Sequence, residues 1–185
     1  LSMTTGRCGV GEAGRPKATP VVAQFAFLID KSEVVPTVSV DGDTIDFVPP
    51  VQTPQPTPAP SDAPVAVPYS GPTTTCPLID IAVARSGDKG NSANVGLMAR
   101  SPALYEVICR EVTADKVAAW FGHVTKGTVS CYAAPGMGAV NFLLRETLDG
   151  GGTSSLHLDK LAKTYGQQLL AMPVDVPTAL LEAQG

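Results

Sequence analysis

Apolar positions follow two different rhythms along this 185-residue chain. From residue 78 onward, short apolar runs alternate with segments in which apolar residues recur at three- and four-residue intervals. The first rhythm predicts strands and the second predicts helices packed by one face. Leu78–Ala84 and Val95–Arg100 read as strands. Ser101 is placed to cap a helix with Pro102 at its first position, and Leu104, Val107 and Ile108 give Pro102–Glu111 helical spacing. Thr113 heads a second helix, Ala114–Phe121, closed by Gly122. Gly127–Tyr132 alternates as a strand. Val140, Leu143, Leu144 and Thr147 predict a helix over Ala139–Leu148. Leu156–Asp159 reads as a short strand, with His157 pointing outward, and Lys160–Met172 as a last amphipathic helix. This order indicates an α+β sandwich, a small sheet covered by helices on one face.

Before residue 78 the pattern changes twice. Residues 1–48 hold a Gly- and Pro-rich start, an apolar run at Val21–Ile29, and Val38-Ser39-Val40 and Ile45-Asp46-Phe47-Val48 around the turn Asp41-Gly42-Asp43. That predicts one or two strands and a hairpin. So short a region, with no disulfide framework, buries too little surface to fold alone, so it reads as the end of a larger domain. Residues 49–77 carry ten of the seventeen prolines and a single charge, Asp62. The run Pro54–Pro60 predicts a polyproline II linker rather than a ligand for proline-binding domains, because basic flanks are missing. Residues 78–173 are then the folded α+β domain, and 174–185 a tail.

Composition narrows the functional classes. A net charge of −4 and a pI near 5.1, without a basic run, argue against nucleic acid as a partner. No run approaches the ~20 apolar residues of a membrane span, and the first residues lack a signal-peptide core. Cys8, Cys76, Cys109 and Cys131 are scattered, which suits buried structural thiols in a reducing cytoplasm. With two histidines, His123 and His157, no metal-ligand cluster is visible and no cofactor is expected. Each histidine reads more readily as structural or surface than as catalytic. A start at Leu1 rather than Met points to a fragment or a processed product.

The densest chemistry lies in Arg85-Ser86-Gly87-Asp88-Lys89-Gly90-Asn91-Ser92-Ala93-Asn94. Arg85 and Lys89 are candidate anion binders, Asp88 could orient Lys89 or cap a turn, and Asn91 and Asn94 could donate to a carbonyl. Gly87 and Gly90 permit positive φ, and successive backbone N–H groups there could form an anion nest with Ser86. A polar β-hairpin turn explains the same residues equally well. A second loop, Ala134-Pro135-Gly136-Met137-Gly138, leads into the predicted helix, whose N-terminus would be open to an anion. On that helix Asn141 and Arg145 share a face, and Arg145, amid apolar neighbours, is expected to be partly buried against Asp88, Asp149 or Asp159. Gly150-Gly151-Gly152 lacks the context of a phosphate-binding loop and reads as a turn.

Four separated stretches carry a family resemblance. Leu78–Arg100 with its Ser-Gly-Asp-Lys-Gly-Asn core, Gly138–Arg145, Gly150–Asp159 and Lys163–Leu170 resemble, in that order, the C-terminal domain of the acyclic terpene utilisation (AtuA) family. Gly11–Lys17 and Val21–Ile29 resemble the tail of that family's large N-terminal domain. The resemblance implies a ferredoxin-fold-like domain and a role in bacterial breakdown of citronellol- and geraniol-type compounds through branched acyl-CoA intermediates. On that basis a hydratase or lyase step is expected for the full-length protein. Ser86–Asn94, Arg85, Asn141 and Arg145 would then grip an acyl-CoA or another anionic small molecule. The alternative is a non-catalytic assembly module that contacts the large domain or another subunit. An oligomer stays open on either reading.

Overall fold

The computed structural model describes residues 20–22, 25, 27–48, 50 and 68–183. Residues 49 and 51–67 of the expected 49–77 linker lie outside them, as do Cys8 and Gly11–Lys17, whereas the end of that linker, Thr73–Pro77, forms a strand rather than a spacer. Phe25–Pro60 form one unit, and Ser61–Gly185 belong to another.

In the first unit, β1 (Val38–Val40) pairs antiparallel with β2 (Asp43–Ile45). The two residues between them, Asp41 and Gly42, both have positive φ, 53° and 93°. Two positive φ values in succession are what an Asp-Gly hairpin turn requires, so this hairpin was readable from sequence. The strand expected at Val21–Ile29 is not found among the described residues of that run.

The second unit begins with β3 (Thr73–Pro77), which pairs antiparallel with β8 (Pro173–Pro177). β8 and the short helix α4 (Thr178–Glu182) occupy the segment that sequence reads as a tail. Between β3 and β8 lies an antiparallel sheet of four strands in the order β4-β5-β7-β6. These are β4 (Ala82–Lys89), β5 (Ser92–Ala99), β6 (Val129–Ala134) and β7 (Ala139–Leu144). Helices α1 (Pro102–Glu111) and α2 (Ala114–Trp120) connect β5 to β6, and α3 (Tyr165–Leu170) precedes β8.

Local chemistry explains the two connecting helices. Ser101 Oγ accepts from Leu104 N, and Pro102 opens α1. Thr113 Oγ1 accepts from Lys116 N at the start of α2. Both caps satisfy N–H groups that a helix start leaves without an internal partner.

Four assignments differ from the sequence reading. Leu78–Asp80 forms a 3-10 turn, so the strand expected from Leu78 begins at Ala82 and runs on to Lys89, through the segment read as a loop. Ala139–Leu144 is a strand rather than a helix. Leu156–Asp159 is not a strand, and the last helix shortens from Lys160–Met172 to Tyr165–Leu170. The β7 segment carries both periods: Val140, Phe142 and Leu144 alternate as well as Val140, Leu143 and Leu144 fit a helix. Pairing with β5 on one side and β6 on the other decides for the strand.

The core lies between this sheet and the helices. Ala93, Val95 and Leu97 of β5 and Val140, Phe142 and Leu144 of β7 are buried, facing Leu104, Val107, Ile108, Val117, Tyr165 and Leu169 of the helices. The intervening residues of the strands face the other way, and among the described residues no helix covers that outer face. The expected α+β arrangement, with helices on one face of a small sheet, is what the structure has.

Candidate functional site

The hairpin β4–β5 sorts the predicted ligand-binding residues onto different surfaces. Its register pairs Arg85 with Gly96, Ser86 with Val95, Gly87 with Asn94 and Lys89 with Ser92. Successive side chains of a strand alternate between faces, so Ser86 and Asp88 share the face of the buried Val95, while Arg85 and Asn94 share the outer face. On β7, Asn141 pairs with Gly96 and with Tyr132 of β6. Arg85, Gly96, Asn141 and Tyr132 therefore form one row across the outer face.

Gly96 leaves a gap in this row, floored by backbone. A Cβ there would stand 3.7 Å from Arg85 O and 4.0 Å from Asn141 Oδ1. Asn94 Nδ2 donates to Asn141 Oδ1 at 3.0 Å, so the two amides brace each other beside the gap. Val83, Met98 and Tyr132 are exposed on the same face, and Leu143 is half-buried there. The outer face thus offers a guanidinium and two amides amid apolar side chains, which suits a polypeptide or a small polar group rather than bulk water.

The remaining hairpin residues hold the fold together. Ser86 Oγ donates to Ala162 O at 2.6 Å and accepts from Gly166 N at 2.8 Å, tying β4 to the start of α3. A Cβ on Gly166 would lie 3.4 Å from the Ala84 and Arg85 backbone, so the start of α3 packs directly on β4. Lys163 Nζ lies 3.6 Å from Asp88 Oδ1 and would be 3.2 Å from a Cβ on Gly87. At the tip, Gly90 takes φ 62°, as the first position of a type II′ hairpin turn demands. Gly87 does not take a positive φ. Asn91 Oδ1 accepts from Gly150 N at 2.7 Å, and Asn91 O accepts from Thr147 N and Leu148 N. Gly151, at φ 99°, passes so near the turn that a Cβ would stand 3.0 Å from Gly90 O. The Gly150-Gly151-Gly152 turn is therefore the seat of the Gly90-Asn91 hairpin tip. Lys89 is exposed, with its Nζ donating to Asp88 O at 2.8 Å.

Three expectations are corrected here. Arg145 lies beyond the end of β7, is exposed, and forms no ion pair among the described residues. Its proposed partners are otherwise engaged: Asp88 faces Lys163, Asp149 faces Lys126 and His157, and Asp159 accepts from the backbone of Lys163 and Thr164. Asn141 and Arg145 do not share a helix face, because the segment is a strand that ends between them. The second loop also lacks its expected helix N-terminus. Pro135–Met137 make a 3-10 turn, Gly138 takes the left-handed region at φ 58°, and the chain enters β7.

Spacing gave no hint that His123 and His157 line one cleft, together with Leu158, Tyr165 and neighbouring residues. The thiols of Cys76, Cys109 and Cys131 are free and half-buried, and burial pushes Cys131 up to about 11, so little reactive thiolate forms near neutral pH. Among the described residues, no group of three or more His, Cys, Asp or Glu could hold a metal, and no helix is long and apolar enough to cross a membrane.

Compared with protein families, residues 76–175 match the model of the AtuA ferredoxin-like domain, more than half of the chain. No curated protein and no solved structure matches the chain.

Proposed function

The chain belongs to the family of the AtuA ferredoxin-like domain, and from that premise we propose that it acts as the docking module of an acyclic-terpene-utilisation protein. Its open sheet face seats a second polypeptide, the family's large domain or another subunit, in the cytoplasm. The assembled protein handles branched isoprenoid acyl-CoA intermediates in a hydratase or lyase step, with catalytic groups supplied by the docked partner. One observation carries this reading: among the described residues, the four-stranded sheet is packed by helices on one face and left uncovered by them on the other. Burying Val83, Met98, Leu143 and Tyr132 would supply the driving force, at roughly 25 cal/mol per Å² of apolar surface. Arg85, Asn94 and Asn141 would fix the register by pairing with polar groups of the partner. The conspicuous hairpin motif supports this reading too, since Ser86, Asp88 and Asn91 are engaged within the domain.

The test is co-purification of this chain with the family's large domain, expressed separately. The parent chain should co-elute with it. Met98→Glu and Arg85→Glu, both exposed and so tolerated by the fold, should each abolish co-elution while leaving the thermal midpoint within a few degrees. Undiminished co-elution by both variants would defeat the docking reading.

A second reading rests on the guanidinium and amides around Gly96, which could grip a phosphate or thioester carbonyl of an acyl-CoA. Calorimetric titration with a CoA thioester and with inorganic phosphate separates the two. Under this second reading Arg85→Ala or Lys89→Ala weakens binding about tenfold, about 1.4 kcal/mol. Absence of heat with either ligand leaves docking as the role of the face.

A further inference from the structure

A cleft of about 460 Å³ opens on the helical side of the second unit, between the end of α2 and the loop that leads into α3. It shares no residue with the outer sheet face. Its volume falls within the range of about 300–1,000 Å³ typical of small-molecule sites. Val124, Leu158 and the ring of Tyr165 give it apolar walls, with an imidazole from His123 and another from His157. The Phe121 ring, fully buried, stacks on both walls, 6.4 Å from His123 and 5.3 Å from Tyr165 between ring centres.

Most polar atoms around the cleft are already engaged. Tyr165 Oη donates to Thr147 O at 3.4 Å, away from the cleft. The Asp159 carboxylate accepts from Lys163 N, Thr164 N and Thr164 Oγ1. Gln168 Nε2 donates to Thr164 Oγ1. His157 differs. Its Nε2 is sealed from solvent, has no in-line hydrogen-bond acceptor among the described residues, and faces the Asp149 carboxylate at 2.8 Å. A hydrogen bond from Lys126 Nζ holds Asp149 below the usual carboxylate range. An anionic Asp149 favours the N–H of His157 on Nε2, which leaves Nδ1 as a free acceptor.

We infer that this cleft binds a small, mostly apolar, uncharged molecule through a single hydroxyl that donates to His157 Nδ1. Charge selects against an anion: the carboxylates of Asp149 and Asp159 lie beside the site, Lys126 is paired to Asp149, and Lys163 Nζ lies 3.6 Å from Asp88 Oδ1. Asp149 acts through the imidazole as a positioning residue, fixing which ring nitrogen accepts.

Three isosteric probes test this on the whole chain: cyclohexylmethanol, cyclohexanecarboxylate and cyclohexylmethylamine. Amide and long-range imidazole nitrogen NMR spectra report both affinity and site. The alcohol should move the His157 Nδ1 resonance and the amides of Val124 and Leu158, and bind at least tenfold more tightly than either charged probe. His157→Gln should weaken it at least tenfold. Asp149→Asn should weaken it several-fold and shift the His157 tautomer signature. Asn tolerates the φ of 47° at this position, so the fold should persist. Val124→Trp should fill the cleft and block binding, whereas Arg145→Ala should leave binding unchanged. Equal or tighter binding of a charged probe, unchanged affinity in His157→Gln with an intact amide spectrum, or shifts confined to residues outside the cleft would each overturn the inference.

Discussion

Replacing Ser86 by alanine tests whether the most conspicuous motif of this chain serves architecture or ligand. The Ser86 hydroxyl bridges two backbone groups, donating to Ala162 O at 2.6 Å and accepting from Gly166 N at 2.8 Å. Ala162 and Gly166 are both buried, so water cannot readily replace the hydroxyl. Alanine removes one oxygen and little volume, which isolates the polar contribution. Two intramolecular hydrogen bonds contribute about 1 kcal/mol each, and a buried group left without a partner costs about 1–3 kcal/mol. A loss of about 2–4 kcal/mol is therefore expected. In a domain of about 100 residues, 1 kcal/mol shifts the midpoint by roughly 4–8 °C, so the thermal midpoint should fall by at least about 8 °C. Urea unfolding followed by far-UV dichroism measures the difference, and an unchanged m-value would attribute it to the native state. A loss under about 0.5 kcal/mol would refute the bridge and return Ser86 to the candidate ligand-binding residues.

Further outcomes follow from the same geometry. Gly151→Ala should cost about 1–3 kcal/mol in urea unfolding, because φ 99° is strained for an L residue and its Cβ would stand 3.0 Å from Gly90 O. Arg145→Ala should change stability by less than about 0.5 kcal/mol, since the side chain is exposed, and a large loss would mean that it has a buried partner after all. Burial raises the Asp159 pKa, but hydrogen bonds from Thr164 and the Lys163 and Leu161 backbone outweigh it, holding the carboxyl below its ordinary 3.8. A lowered folded pKa gives stability that is complete above about 3.8 and lost as pH falls through the folded value. Asp159→Asn should therefore destabilise the domain at neutral pH and flatten the acid limb of its stability curve, and parallel acid limbs in parent and variant would contradict this.

Local chemistry alone determined the parts of this protein whose partners lie within a few residues. Ser101 with Pro102 and Thr113 announce α1 and α2 through the N–H groups they cap, and Asp41-Gly42 announces the first hairpin through its positive φ values. Apolar rhythm also implied an α+β layer with helices on one face, because Leu104, Val107 and Ile108 had to pack on something apolar. The four family stretches were legible, but their purpose was not. Gly150–Asp159 and the hairpin motif look independent in sequence, yet Asn91 and Gly151 lock them together. The helix expected at Ala139–Leu148 failed because its apolar positions satisfy either period, and only a neighbouring strand on each side could choose. β3 and β8 were beyond reach for a related reason: each is a short edge segment that exists by pairing with the other from the far end of the domain. Arg85, Asn94 and Asn141 were named in sequence, but their meeting around Gly96 follows from strand register. His123 and His157 line one cleft only because the loop after β7 returns to the segment that follows α2. Turn and cap energies act within a few bonds, whereas strand pairing and cleft formation depend on which distant surfaces the folded chain brings together.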